Sequence, residues 1–222
     1  MRTPIAKRRL PDYTRGEEIA NMVTHIVGGG LGVMVLLAAV LLSVYRRNVW
    51  GVVSGSIYGA SLICLYTVSS VYHGLKNDTA KKVMHGLDHC TIYFLIVGTY
   101  TPILLCGIRP VSPIAAWVVF GIEWAITALA VTFTAIDHNR YAKLSMSCYI
   151  GLGWCVILIF KDTVAALGTA GFGWLLAGGI AYTVGAVVYG VGRKRPLYHT
   201  FFHGFVVLGS VLQSISILFY VL

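Results

Sequence analysis

Long apolar runs separated by short polar breaks make up this chain. Seven of the runs approach the ~20 residues that a helix rising 1.5 Å per residue needs to cross a hydrocarbon core of about 30 Å. They lie near residues 20–44, 49–72, 84–107, 112–135, 144–160, 171–192 and 198–222. The runs are continuously apolar instead of alternating, which predicts helices and excludes a membrane β-barrel. The breaks carry turn or charge chemistry: Arg46-Arg47-Asn48, Lys76-Asn77-Asp78, Arg109-Pro110, Asp137-His138-Asn139-Arg140, residues 168–173, and Arg193 to Pro196. The first run is too long for the apolar region of a cleaved signal peptide and is expected to remain as an anchor. The expected fold is an all-α membrane protein, a seven-transmembrane helix bundle spanning residues 20–222 behind a tail of residues 1–19.

Composition agrees with the pattern. Apolar residues make up 57% of the 222 positions and charged residues 11%, with a mean hydropathy of +0.78, which excludes an ordinary soluble domain. Of the 17 Lys and Arg residues, 13 fall in the tail and in the breaks after the second, fourth and sixth runs. The positive-inside rule therefore predicts a cytoplasmic N-terminus and, with seven crossings, an outside C-terminus, in the inner (plasma) membrane. The net charge of +9 belongs to these breaks, so the expected partner is anionic membrane lipid and not nucleic acid. Cys64, Cys90, Cys106, Cys148 and Cys155 are odd in number and form no C-x-x-C pair, which reads as helix packing. Gly28 and Gly32 in the first run, and Gly51, Gly55 and Gly59 in the second, predict close helix approach.

Candidate chemistry comes from the seven histidines, all of which this topology places toward the cytoplasmic face. His199-x-x-x-His203 and His85-x-x-x-His89 each put two imidazoles on one helix face. Neutral imidazole is the commonest metal ligand, and His73 at the end of the second run is the natural third donor from another helix. Spacing alone does not choose between the two pairs; His85 and His89 also fit a solvated first turn beside Asp88. Three histidines leave tetrahedral zinc an open position for water, with Asp88 as the base to hold or deprotonate it. Ser69 lies four residues before His73 and faces the same way. His25 and His138 are expected to be interfacial residues near helix ends. Glu123, in the middle of the fourth run, is a costly group expected to face a cavity or a partner.

Four motifs resemble the hemolysin III-like proteins, the bacterial branch of the progestin and adipoQ receptor family, within a superfamily that includes alkaline ceramidases. They are Glu17-Glu18-Ile19-Ala20-Asn21 with Thr24-His25, Ser69 to His73, Leu87-Asp88-His89-Cys90 followed by Gly98 to Pro102, and His199 to Gly204. The resemblance spans nearly the whole chain. It implies that Zn2+ is held by His73, His199 and His203, with Asp88 and Ser69 around the bound water, and so favours the pair in the seventh run. It also implies that Glu17, Asn21 and His25, one stripe at i, i+4 and i+8, belong to the surroundings, as does His89 beside Asp88. The kinship with ceramidases implies a zinc-dependent hydrolase of a lipid-like amide or ester. The alternatives are a non-catalytic lipid sensor or regulator of membrane homeostasis, and the cytolysin of the family name. A retinal protein is excluded because the seventh run contains no lysine.

Overall fold

The computed structural model describes residues 3–192 and 195–222, and its regular structure is entirely helical. Arg193 and Lys194, expected in the last break, and the tail residues Met1 and Arg2 lie outside the described residues. Helix α1 spans Arg15–Tyr45, α2 Val49–Gly74, α3 Asp78–Pro102, α4 Pro113–Gly153, α5 Phe160–Val191 and α6 Tyr198–Ser216. Their starts follow from local chemistry. Thr14 and Glu17 form a reciprocal capping box before α1, Asn48 accepts from the Gly51 N–H before α2, and Asn77 accepts from the Ala80 N–H before α3. Pro113, which lacks the N–H that a first turn leaves unpaired, opens α4. Pro102 ends the regular part of α3, and the chain continues as a wider π-type turn over Ile103–Ile108.

Among the described residues, five helical stretches are long and apolar enough to cross a membrane: Arg15–Tyr45, Val49–Gly74, Asp78–Ile108, Pro113–Val191 and Tyr198–Val221. The expected fourth, fifth and sixth runs all fall within the 79-residue stretch Pro113–Val191. That stretch is not straight. Asp137 leaves helical geometry at φ −161°, ψ 87°, and Thr134 Oγ1 lies 3.0 Å from Ser145 Oγ. Eleven residues along a straight helix would separate those atoms by roughly 16 Å, so the chain doubles back at Asp137. Gly168 likewise breaks α5 at φ +67°, a conformation that favours glycine, and the Phe160 and Phe172 rings meet at 5.1 Å across the break. A shorter 3-10 turn, Cys155–Ile159, bends the segment between the two reversals, and fully buried Glu123 lies there beside Cys155 and Tyr100.

The reversal at Asp137 is held by the N-terminal segment. The Asp137 carboxylate accepts from the backbone N–H of Thr3 at 2.9 Å and of Arg140 at 3.3 Å. Buried Arg8 donates to the carbonyl of Ile136 at 2.6 Å, where the first arm of α4 leaves its last carbonyls unpaired. Arg8, a member of the basic tail cluster, is thus a helix cap and not a free surface charge.

Helices α1 and α2 pack through the predicted glycines. A Cβ on Gly59 would lie 2.6 Å from the Leu36 backbone, and one on Gly28 would meet the Tyr66 ring at 2.5 Å. Gly59→Ala is expected to force these helices apart and to destabilise the protein by about 1–3 kcal/mol. Thermal unfolding in detergent checks this, with Gly121→Ala, at a position with open space around it, as the control.

Candidate functional site

Helix ends meet on one side of the bundle: the start of α1, the end of α2, the starts of α3 and α6, the last turns of α5 and the Asp137 reversal. The seven histidines gather there in two groups. In the first, His73 closes α2 while His199 and His203 occupy successive turns at the start of α6. His199 Nε2 lies 3.4 Å from His73 Nε2 and 3.0 Å from His203 Nε2, so the three donors point at one spot. Nitrogens bound to tetrahedral zinc at 2.0–2.1 Å are about 3.3–3.4 Å apart, so the donor set fits such an ion. His73 and His203 are buried, as is Ser69. The Asp88 carboxylate neighbours Ser69, His73 and His89.

Each imidazole is oriented differently. His73 Nδ1 meets the Glu18 carboxylate at 2.6 Å, and Lys81 Nζ pairs with the other Glu18 oxygen at 2.7 Å. This carboxylate–imidazole contact sets the ring so that Nε2 faces the other two donors. His199 and His203 are held through their faces: Tyr13 stacks on His199 at 4.7 Å and 16°, and His25 stacks on His203 at 3.7 Å and 15°. Burial, with Tyr189, Glu18 and Asp88 nearby, holds the Tyr13 hydroxyl well above its ordinary pKa of 10, so it stacks as a neutral phenol.

The structure corrects two expectations and adds a residue. His25 is only 3% exposed and stacked within the site, and His138 is 8% exposed; both are buried inside the protein and not on its surface. The pair His85 and His89 is buried and so is not a solvated first turn. Glu18, not Glu17, touches an imidazole of the site; the i, i+4, i+8 stripe drew attention to its neighbour. Glu17 acts elsewhere. Its Oε2 caps α1 through Thr14, while Oε1 accepts the Leu197 N–H at 2.6 Å. Leu197 has φ +67°, a strained value for a branched side chain, immediately before the helix that carries His199 and His203. Asn21, fully buried, accepts from Thr200 Oγ1 at 2.7 Å, so α1 grips the start of α6 twice.

A cavity of about 360 Å³ opens from this end into the bundle. Asp88, His89, His138 and His199 line one part, and apolar side chains such as Ile96 and Leu175 line the rest.

A family model described as "Haemolysin-III related" matches residues 13–214. The chain is similar to the "Hemolysin-3 homolog" of Bacillus subtilis, 34% identical over 94% of this chain and 96% of the relative, and to "Hemolysin-3" of Bacillus cereus, 37% identical over 93% and 92%. Similarity extends to the human "Monocyte to macrophage differentiation factor", 27% identical over 90% of this chain and 83% of the relative.

Removing the Glu17 carboxylate leaves the Leu197 N–H and the Thr14 cap without their acceptor. Glu17→Ala is expected to lower stability by about 1–3 kcal/mol and to speed amide exchange at Leu197–Thr200, with the α2 amides unchanged. Hydrogen exchange read by mass spectrometry checks it.

Proposed function

The chain belongs to the Haemolysin-III related family, a multi-pass membrane protein, and we propose that it is a zinc-dependent hydrolase of lipid-like amides or esters. The observation that carries this reading is the convergence of three imidazole nitrogens beside Asp88 at the polar end of an apolar cavity. His73, His199 and His203 would hold the ion, leaving one tetrahedral position open. Zinc bound there supplies Lewis-acid polarisation of a carbonyl and acidifies water.

The chain's own residues do the rest. The Asp88 carboxylate takes a proton from the attacking water as the new C–O bond forms. It returns that proton to the leaving nitrogen or oxygen as the old bond breaks, giving a free acid and an amine or alcohol. Ser69, buried beside Asp88, is placed to hydrogen-bond the carboxylate or the water and hold it in line. Glu18 keeps His73 in the tautomer that offers Nε2. The apolar cavity, within the size range of small-molecule sites, accommodates an acyl chain.

Seven crossings, with the histidine end in the cytoplasm, complete the reading. The two chain reversals within Pro113–Val191 support the count, since each turns one long helical stretch into antiparallel arms. The 13 basic residues of the tail and of the breaks after the second, fourth and sixth runs support the orientation.

His199→Ala and His203→Ala are each expected to lose about one bound zinc per chain, read by mass spectrometry of the purified protein; full retention in both sinks the assignment. Glu18→Gln should bind zinc about 10–100-fold more weakly in a chelator competition. Asp88→Asn should keep zinc yet release fatty acid from a ceramide-type amide about 10²–10⁴-fold more slowly. No release by the zinc-loaded unaltered protein, together with an unchanged biological phenotype in Asp88→Asn, assigns the site to a lipid-responsive regulator instead.

A further inference from the structure

The second histidine group shares no residue with the first. His85 and His89 occupy successive turns near the start of α3, and His138 follows the reversal at Asp137, 49 positions beyond His89 in the chain. The three rings are 8–9% exposed, with centroids 4.7 Å (His85 to His89), 5.2 Å (His85 to His138) and 3.6 Å (His89 to His138) apart. One nitrogen from each ring lies within 4.8 Å of the others. Tyr72 stands between the groups, its ring 4.5 Å from His73 and 5.3 Å from His85.

We propose that His85, His89 and His138 form a second binding site for a divalent transition metal of the zinc class. Three imidazoles that converge by one nitrogen each present their donors to one point, and a shared cation makes that convergence favourable. The tautomer of His89 suits the role: its Nδ1–H donates to the His85 carbonyl at 3.0 Å, which leaves Nε2 with the lone pair. Tyr149, on the second arm of α4, donates to the His89 carbonyl at 2.7 Å and braces the same turn. An all-imidazole donor set selects Zn2+, Co2+, Ni2+ or Cu2+ over the oxygen-seeking Mg2+ and Ca2+.

Geometry assigns this ion a consequence. It ties α3 to the Asp137 reversal, adding to the direct bonds of Tyr149 to the His89 carbonyl and of Tyr93 to Thr134 and to the N-terminal contacts of Thr3 and Arg8. His89 and His138 line the same cavity as Asp88 and His199, so the ion lies within a space shared with the first site.

The test uses the full chain in detergent, without a histidine tag, stripped by chelator and reloaded with Co2+ or Zn2+. Metal per chain is counted after removal of free ion. About two ions are expected in the unaltered protein, about one in His199→Ala/His203→Ala, about one in His138→Asn, and none in the triple variant that combines His138→Asn with His199→Ala/His203→Ala. Zn2+ should raise the unfolding midpoint of His199→Ala/His203→Ala but not of the triple variant, and Ca2+ should raise neither. One ion in the unaltered protein and none in His199→Ala/His203→Ala overturns the second site. So does a count that neither His138→Asn nor His85→Asn lowers. Failure of the first site looks different: one ion, insensitive to His199→Ala/His203→Ala and lost with His138→Asn. If His138→Asn does not fold, His85→Asn replaces it, and the count in the unaltered protein still decides.

Discussion

The Glu18 carboxylate joins three helices at the histidine end of the bundle. From α1 it meets His73 Nδ1 of α2 at 2.6 Å and Lys81 Nζ of α3 at 2.7 Å. Pairing with one ammonium and one imidazole satisfies a carboxylate that has lost much of its water, and it aims the far nitrogen of His73 at α6. The grouping of His73, His199 and His203 depends on this contact, because His73 is the donor that comes from a different helix. A lysine that also donates toward the His73 and Leu75 carbonyls closes the end of α2. Charge, helix termination and ligand orientation are therefore solved by one cluster.

The α6 half of the site rests on a different arrangement. His199 and His203 are four apart on one helix, so their mutual spacing follows from the helix itself. Where that helix starts does not. Glu17 and Asn21 of α1 hold Leu197 and Thr200 by 2.6 and 2.7 Å hydrogen bonds, and the strained backbone of Leu197 is kept in place by the first of them. Tyr13 and His25 then stack on the faces of His199 and His203. Helix α1 thus contributes to both halves, with Glu18 set toward α2 and α3, and Glu17, Asn21 and His25 set toward α6.

Away from this end the bundle is held by close packing. In lipid the hydrophobic effect does not drive helices together, so the α1–α2 contact relies on glycines that let Leu36 and Tyr66 approach backbone. Buried tyrosines add hydrogen bonds across helices: Tyr58 Oη lies 2.9 Å from Ser214 Oγ, and Tyr66 donates to Ser210 Oγ at 2.7 Å, tying α2 to α6. The polar residues that remain in the apolar interior are therefore mostly hydroxyls with a partner in reach. Glu123, a fully buried carboxylate beside Cys155, departs from that rule.

Local chemistry determined what the sequence could show by itself. Apolar run length marked the helices; Arg46-Arg47-Asn48 and Lys76-Asn77-Asp78 marked breaks between them; glycine spacing marked the α1–α2 face; and the recurrence of histidine near helix ends placed all seven on one side. Each of these depends on residues within a turn or two of one another. The tertiary structure alone decided that Glu18 and not Glu17 reaches His73, that His25 stacks within the first group, and that His138 joins His85 and His89. Those outcomes depend on the rotation of one helix against another and on a chain reversal at Asp137. A helical period specifies which residues share a face, but it carries no information about which face of which distant helix lies opposite.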